Sequence, residues 1–120
     1  MSKKTLVLGA STKESRYSNM AIHKLRGQNI EVEAFGLKPG NVLDVTIDTE
    51  KKAYVDLDTI TLYLNPNNQK PYYDYLLQLK PRRVIFNPGT ENPELMDLLQ
   101  KNGIETEVAC TLVLLSMHQY

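Results

Sequence analysis

Two short apolar runs, Thr5-Leu6-Val7-Leu8-Gly9 and Arg83-Val84-Ile85-Phe86, are closed by turn-forming residues. Runs of this length suit strands buried on both faces of a parallel sheet covered by helices. Three further stretches alternate: Glu31 to Gly36, Thr59 to Leu64, and Glu105 to Val108, the last fitting an edge. Helical spacing fills the gaps between them. Tyr17, Met20, Ala21, Lys24 and Leu25 share one face ahead of Gly27, and Tyr72, Tyr73, Leu76 and Leu77 share another ahead of Pro81. A third helix carries its own signals: Asn92 as N-cap, Pro93 at the first helical position, Glu94 in the first turn, then Leu95, Met96, Leu98, Leu99 and a stop at Asn102-Gly103. Cys110 to Met117 forms a short final helix.

Strands alternating with helices in this way mean βαβ units and a Rossmann-like, doubly wound α/β fold: five mainly parallel strands in the order 3-2-1-4-5, with helices on both faces. Between Leu37 and Asp58 the expected helix is barely visible, and Val42, Leu43, Val45 and Ile47 alternate like a strand and read as a short extended insertion. A length of 120 residues fits one domain over residues 1–120.

Composition narrows the function. Fourteen basic and fourteen acidic residues leave no net charge, so no basic field favours nucleic acid. The apolar stretch Leu6 to Leu8 is too brief for a signal peptide or a membrane span. A lone Cys110 excludes an internal disulfide and fits a reducing, cytoplasmic setting, and two distant histidines, His23 and His118, make no zinc cluster. Asp44, Asp48, Asp56 and Asp58 lack a calcium-loop pattern and read as solvated surface.

In an open parallel sheet a ligand sits beyond the carboxyl ends of the strands, where strand order reverses. The predicted order puts that point between strands one and four. The meeting loops are Gly9-Ala10-Ser11-Thr12-Lys13-Glu14-Ser15-Arg16-Tyr17-Ser18-Asn19 and Asn87-Pro88-Gly89-Thr90-Glu91-Asn92. The first lacks the second and third glycines of the dinucleotide fingerprint. It offers amides at a helix start, the hydroxyls of Ser11, Thr12, Ser15 and Ser18, and the cation Arg16, a set suited to phosphate or pyrophosphate. The bland alternative has Ser18 capping the helix and Arg16 in solvent. After strand two, Lys38 stands where an NAD-binding domain presents a carboxylate. A cation there serves a phosphorylated ribose, which leaves coenzyme A and NADP both open.

Val7-Leu8-Gly9-Ala10-Ser11, Arg16, Lys38-Pro39-Gly40, Asn65-Pro66, Phe86 to Asn92 and Cys110 together resemble the small stand-alone CoA-binding protein family, with the fold of the CoA-binding domain in the succinyl-CoA synthetase alpha subunit. The resemblance runs from about Thr5 to about Ser116. It implies coenzyme A or an acyl-CoA as ligand, with Gly9, Ala10, Ser11, Arg16 and Ser18 near the phosphates and Lys38 at the ribose-phosphate end. Asn65 and Pro66 would flank the adenosine, and Pro88, Gly89 and Asn92 would complete the site. Asn87 departs from the glutamine expected before Pro-Gly. The resemblance further implies a binding module without a catalytic residue, serving as sensor, carrier or partner of an acyl-transfer enzyme. Alternatives are an NADP-dependent reductase and an interaction protein with a vestigial pocket. Cys110 is expected as a small apolar residue buried beneath the last helix, the other reading being a thiolate beside the ligand. Tyr72, Tyr73 and Tyr75 offer rings for stacking on an adenine, but at helical spacing two of them are read as core contacts with Leu76 and Leu77.

Overall fold

The computed structural model describes residues 3–120, in the order β1 (Thr5–Leu8), α1 (Tyr17–Gly27), β2 (Val32–Phe35), β3 (Gly40–Val42), β4 (Val45–Asp48), β5 (Thr59–Leu62), α2 (Pro66–Gln69), a single 3₁₀ turn (Lys70–Tyr72), α3 (Tyr73–Leu79), β6 (Arg83–Phe86), α4 (Pro93–Lys101), β7 (Glu105–Val108) and α5 (Thr111–Ser116). The strands form one seven-stranded sheet in the order β3-β4-β2-β1-β5-β6-β7. Every pairing is parallel except the β3–β4 hairpin at one edge. The fold is therefore α/β with a mostly parallel sheet, as the alternation of elements predicts.

Two features differ from the predicted sheet. It has seven strands rather than five, because the stretch read as an extended insertion is the hairpin β3–β4, turning at Leu43 and Asp44. Val42, Val45 and Ile47 are buried against the α1 side, and β4 pairs with β2 through Ala34↔Ile47 and Phe35↔Asp48. That hairpin occupies the flank of β2 assigned to the strand at Thr59. The second difference follows: Thr59–Leu62 lies between β1 and β6, with Thr5↔Thr59 and Thr59↔Arg83 in register. All four of its residues are buried. The alternating threonines suggested a half-exposed strand, but they face a buried polar layer. Thr59 bonds to Asp58 and Arg83, and Thr61 to Asn87 and Thr111.

Each sheet face has its own core. Leu6, Leu8, Phe35, Ile60, Leu62, Val84 and Phe86 pack against α3 and α4, through Leu76, Leu79, Leu95 and Leu99. On the other face Val7, Ala34 and Ile47 pack against Ile22 and Leu25 of α1 and Leu115 of α5. The helix α1 spans the residues predicted, but its buried face is Ser18, Asn19, Ala21, Ile22 and Leu25, while Tyr17, Met20 and Lys24 of the predicted face are exposed; α4 starts as predicted, Asn92 accepting from the Leu95 amide at 3.2 Å. In α3 the buried face is Tyr75, Leu76 and Leu79, with Tyr72 and Tyr73 half-buried at its start. Asp48 and Asp58 are not solvated surface: Tyr54 and Lys52 hold the first, Arg82 and Thr59 the second. Among the described residues no helix is long and apolar enough to cross a membrane.

Candidate functional site

The carboxyl ends of β1 and β2 are pressed together by two glycines. The amides of Gly9 and Ala10 both donate to the Phe35 carbonyl at 2.9 Å. Gly9 has φ +100°, a conformation that costs glycine little, and a Cβ there would lie 3.0 Å from the Tyr63 carbonyl carbon. At Gly36 a Cβ would lie 2.3 Å from the Ala10 carbonyl oxygen, so only glycine fits between the loops. Lys38 sits three positions before Asn41 on the turn that this contact holds beside the β1 loop, and it is exposed.

Beyond Ala10 the chain runs to the start of α1 with little internal bonding. The Ser11 hydroxyl accepts from the Lys13 amide at 3.1 Å, and the Ser11 carbonyl accepts from the buried Asn19 side chain at 3.0 Å. Among the described residues the amides of Ser11, Thr12, Glu14 and Ser15 meet no acceptor. Arg16 is the N-cap residue of α1, and its side chain makes no capping bond. Ser18 lies inside the first turn and is buried, so it does not cap the helix. Lys13, Arg16 and Lys38 are exposed and make no ion pair among the described residues. Free amides at a helix start, with the exposed cations Lys13 and Arg16 in the same loop, are groups of the kind that attract phosphate. These residues fit a phosphorylated nucleotide such as coenzyme A.

The strand exchange moves the other predicted residues. Order reverses between β1 and β5, not between β1 and β6. Asn65 and Pro66 follow β5, so they lie across β1 from Lys38, on the flank away from the expected adenosine end. Asn65 caps α2 by accepting from the Asn68 amide at 3.0 Å, and Pro66 opens that helix. Pro88 and Gly89 are exposed, the Gly89 amide donating to Glu91 at 2.8 Å. The Asn92 amide donates to Gln69 at 2.9 Å and to the Tyr73 hydroxyl at 2.8 Å, while its oxygen caps α4. Every side-chain polar atom of Asn92 thus has a partner within the protein.

Between the ends of β5, β6 and β7 lies a cleft of about 220 Å³ lined by Tyr17, Tyr63, Asn87, Pro88, Cys110 and Leu112. Only Pro88 among the sequence-predicted site residues lines it, with Tyr17 adjoining Arg16. Cys110 is half-buried in its wall as the N-cap residue of α5 rather than under that helix. Asn87 is buried: its amide donates to the Thr61 hydroxyl and the Leu62 carbonyl at 2.7 and 2.8 Å, and its oxygen accepts from the Thr111 amide at 2.9 Å. Among the described residues the buried Tyr63 hydroxyl has no partner within hydrogen-bond geometry, Thr61 and Thr111 lying nearby. Burial pushes its phenol up to about 12, partly offset by the nearby Thr111 and Thr61. Tyr17, Tyr63 and Leu112 carry no sequence signal as site residues, because the strand exchange and the placement of α5 bring them together. A broader, open hollow of about 550 Å³ between α1 and α5 shares Leu112 with the cleft.

A family model described as CoA binding domain matches residues 3–116. Among solved structures, an uncharacterised protein is 48% identical, with a TM-score of 0.97 over 100% of this chain and 99% of that one. A protein from Thermus thermophilus has the same fold at 21% identity, with a TM-score of 0.86 over 99% of this chain and 91% of that one. A hypothetical protein from Pyrococcus horikoshii does so at 23% identity, with a TM-score of 0.82 over 93% and 80%. No curated protein matches the chain.

Proposed function

Since this chain belongs to the CoA-binding domain family, we propose that it is a cytoplasmic binding module that holds coenzyme A or an acyl-CoA at the carboxyl edge of the sheet and performs no chemistry of its own. The observation that carries this reading is the β1 loop: the unpaired amides of Ser11, Thr12, Glu14 and Ser15 at the start of α1, beside Arg16 and Lys13. In the proposal these groups hold the pyrophosphate, where free amides and the positive helix end favour anions. Lys38, held alongside by the Gly36–Ala10 contact, takes the ribose 3′-phosphate as a point charge.

Calorimetric titration tests this against the NADP alternative. Coenzyme A is expected to bind more tightly than dephospho-CoA, NADP or NAD. Lys38→Ala should erase most of the preference for coenzyme A over dephospho-CoA, an effect of roughly 1 kcal/mol for an exposed charge, and added salt should shrink it. Tighter binding of NADP than of any CoA species would replace the proposal with the nicotinamide reading. Equal binding of CoA and dephospho-CoA at low salt would remove Lys38 from the site.

A further inference from the structure

The cleft beside the β1 loop has a mostly apolar wall, in which the polar groups of Asn87 and Tyr63 are committed or hidden. Tyr17 and Tyr63 contribute rings, Pro88, Leu112 and Cys110 contribute apolar or weakly polar surface, and Asn87 is the remaining lining residue. Both Asn87 amide hydrogens' directions and its oxygen are committed to Thr61, Leu62 and Thr111. The Tyr63 hydroxyl is inaccessible. A polar ligand end entering here would leave water without replacement partners, at a cost of a few kcal/mol per group. An alkyl chain would gain from the same burial.

The cleft adjoins the β1 loop at one residue. Tyr17, on its rim, is the residue after Arg16. Along the carboxyl edge the loops follow in the order Lys38, Gly9–Arg16, Tyr63, Asn87-Pro88, so the cleft lies on the far side of the phosphate loop from Lys38. Strands stand about 4.8 Å apart, so the step from β2 to the gap between β5 and β6 is on the order of 12 Å, within reach of the pantetheine arm. A volume of about 220 Å³ accommodates a chain of several carbons, given that one liquid water takes about 30 Å³.

Building on the proposed CoA binding, we infer that this cleft receives the alkyl part of a short-chain acyl-CoA, and that the protein's ligand class is acyl thioesters rather than free coenzyme A. The phosphates hold one end of the ligand, the thioester lies at the mouth, and the chain displaces water from between Tyr17, Tyr63, Pro88 and Leu112.

Titration calorimetry with coenzyme A, acetyl-CoA, butyryl-CoA, hexanoyl-CoA and adenosine 3′,5′-bisphosphate tests the inference. Affinity should rise along the acyl series by up to roughly fourfold per methylene buried, the transfer value for one CH₂. In Leu112→Asp, which places a carboxylate in the wall, hexanoyl-CoA should fall to the affinity of coenzyme A. Tyr17→Ala, at a side chain 69% exposed and so without a part in folding, should flatten the series in the same direction. Equal affinity of wild-type protein for coenzyme A and hexanoyl-CoA overturns the acyl assignment and leaves CoA binding in place. Absence of binding by the bisphosphate and by every CoA species overturns both.

Discussion

Asp58 shows how one side chain joins two strands. Its carboxylate accepts from Arg82 at 2.8 and 3.1 Å and from the Thr59 hydroxyl at 2.7 Å, while its carbonyl takes the amides of Arg82 and Arg83. The start of β6 is thereby fixed beside the start of β5. Arg82 and Thr59 hold the carboxyl below its ordinary value near 3.8, against the upward push of burial. A depressed folded-state pKa means that the stabilisation is present above the unfolded value and lost as pH falls through the folded one. Wild-type stability should therefore decline below about pH 4 in part through this group. Asp58→Asn should cost about 1 kcal/mol at pH 7, a modest figure because Arg82 is half exposed, and should flatten that part of the acid limb. Urea melts of both proteins from pH 3 to 7 measure this, and parallel curves would assign the acid sensitivity to other carboxyls.

At the scale of elements, α1 and α4 are legible from sequence because local chemistry defines them. The apolar spacing ahead of Gly27 marks the first, although of the face read there only Ala21 and Leu25 are buried, and Asn92-Pro93-Glu94 starts the second. The short helix α5 depends instead on tertiary contacts. Leu115 supplies its apolar anchor, while its first turn sits on a polar seat, where Asn87 takes the Thr111 amide and the Thr61 and Thr111 hydroxyls bond at 2.8 Å. Asn87→Ala removes the hub of that seat and leaves the Thr111 amide and the Leu62 carbonyl buried without partners. The expected loss is about 3 kcal/mol, and hydrogen exchange should show α5 opening before the sheet. A loss below about 1 kcal/mol would mean that Leu115 alone holds α5.

For the whole molecule, strand order decides which loops form one site. Lys38 and Leu112 stand on opposite sides of the β1 loop and share no partner, so their substitutions should act on different ends of one ligand. In the double variant Lys38→Ala, Leu112→Asp, the losses in hexanoyl-CoA binding should add to within about 0.5 kcal/mol, and a single substitution without any loss would show that the ligand does not bridge the two flanks. The sequence by itself determined the α/β class, the apolar strands at Thr5–Leu8 and Arg83–Phe86 and the capped helix at Pro93–Lys101, because each rests on residues near one another in the chain. Only the tertiary structure decided that the Val42–Ile47 segment is a hairpin beside β2 and that Thr59–Leu62 lies between β1 and β6. Threonines buried in a polar layer alternate with apolar residues just as solvent-facing ones do, so the pattern could not reveal which flank the strand takes. That placement moved Asn65 and Pro66 away from Lys38 and brought Tyr17, Tyr63, Pro88 and Leu112 around one cleft. The reason is physical: periodicity reports whether a side chain is covered, while strand order is set by which faces can be covered together.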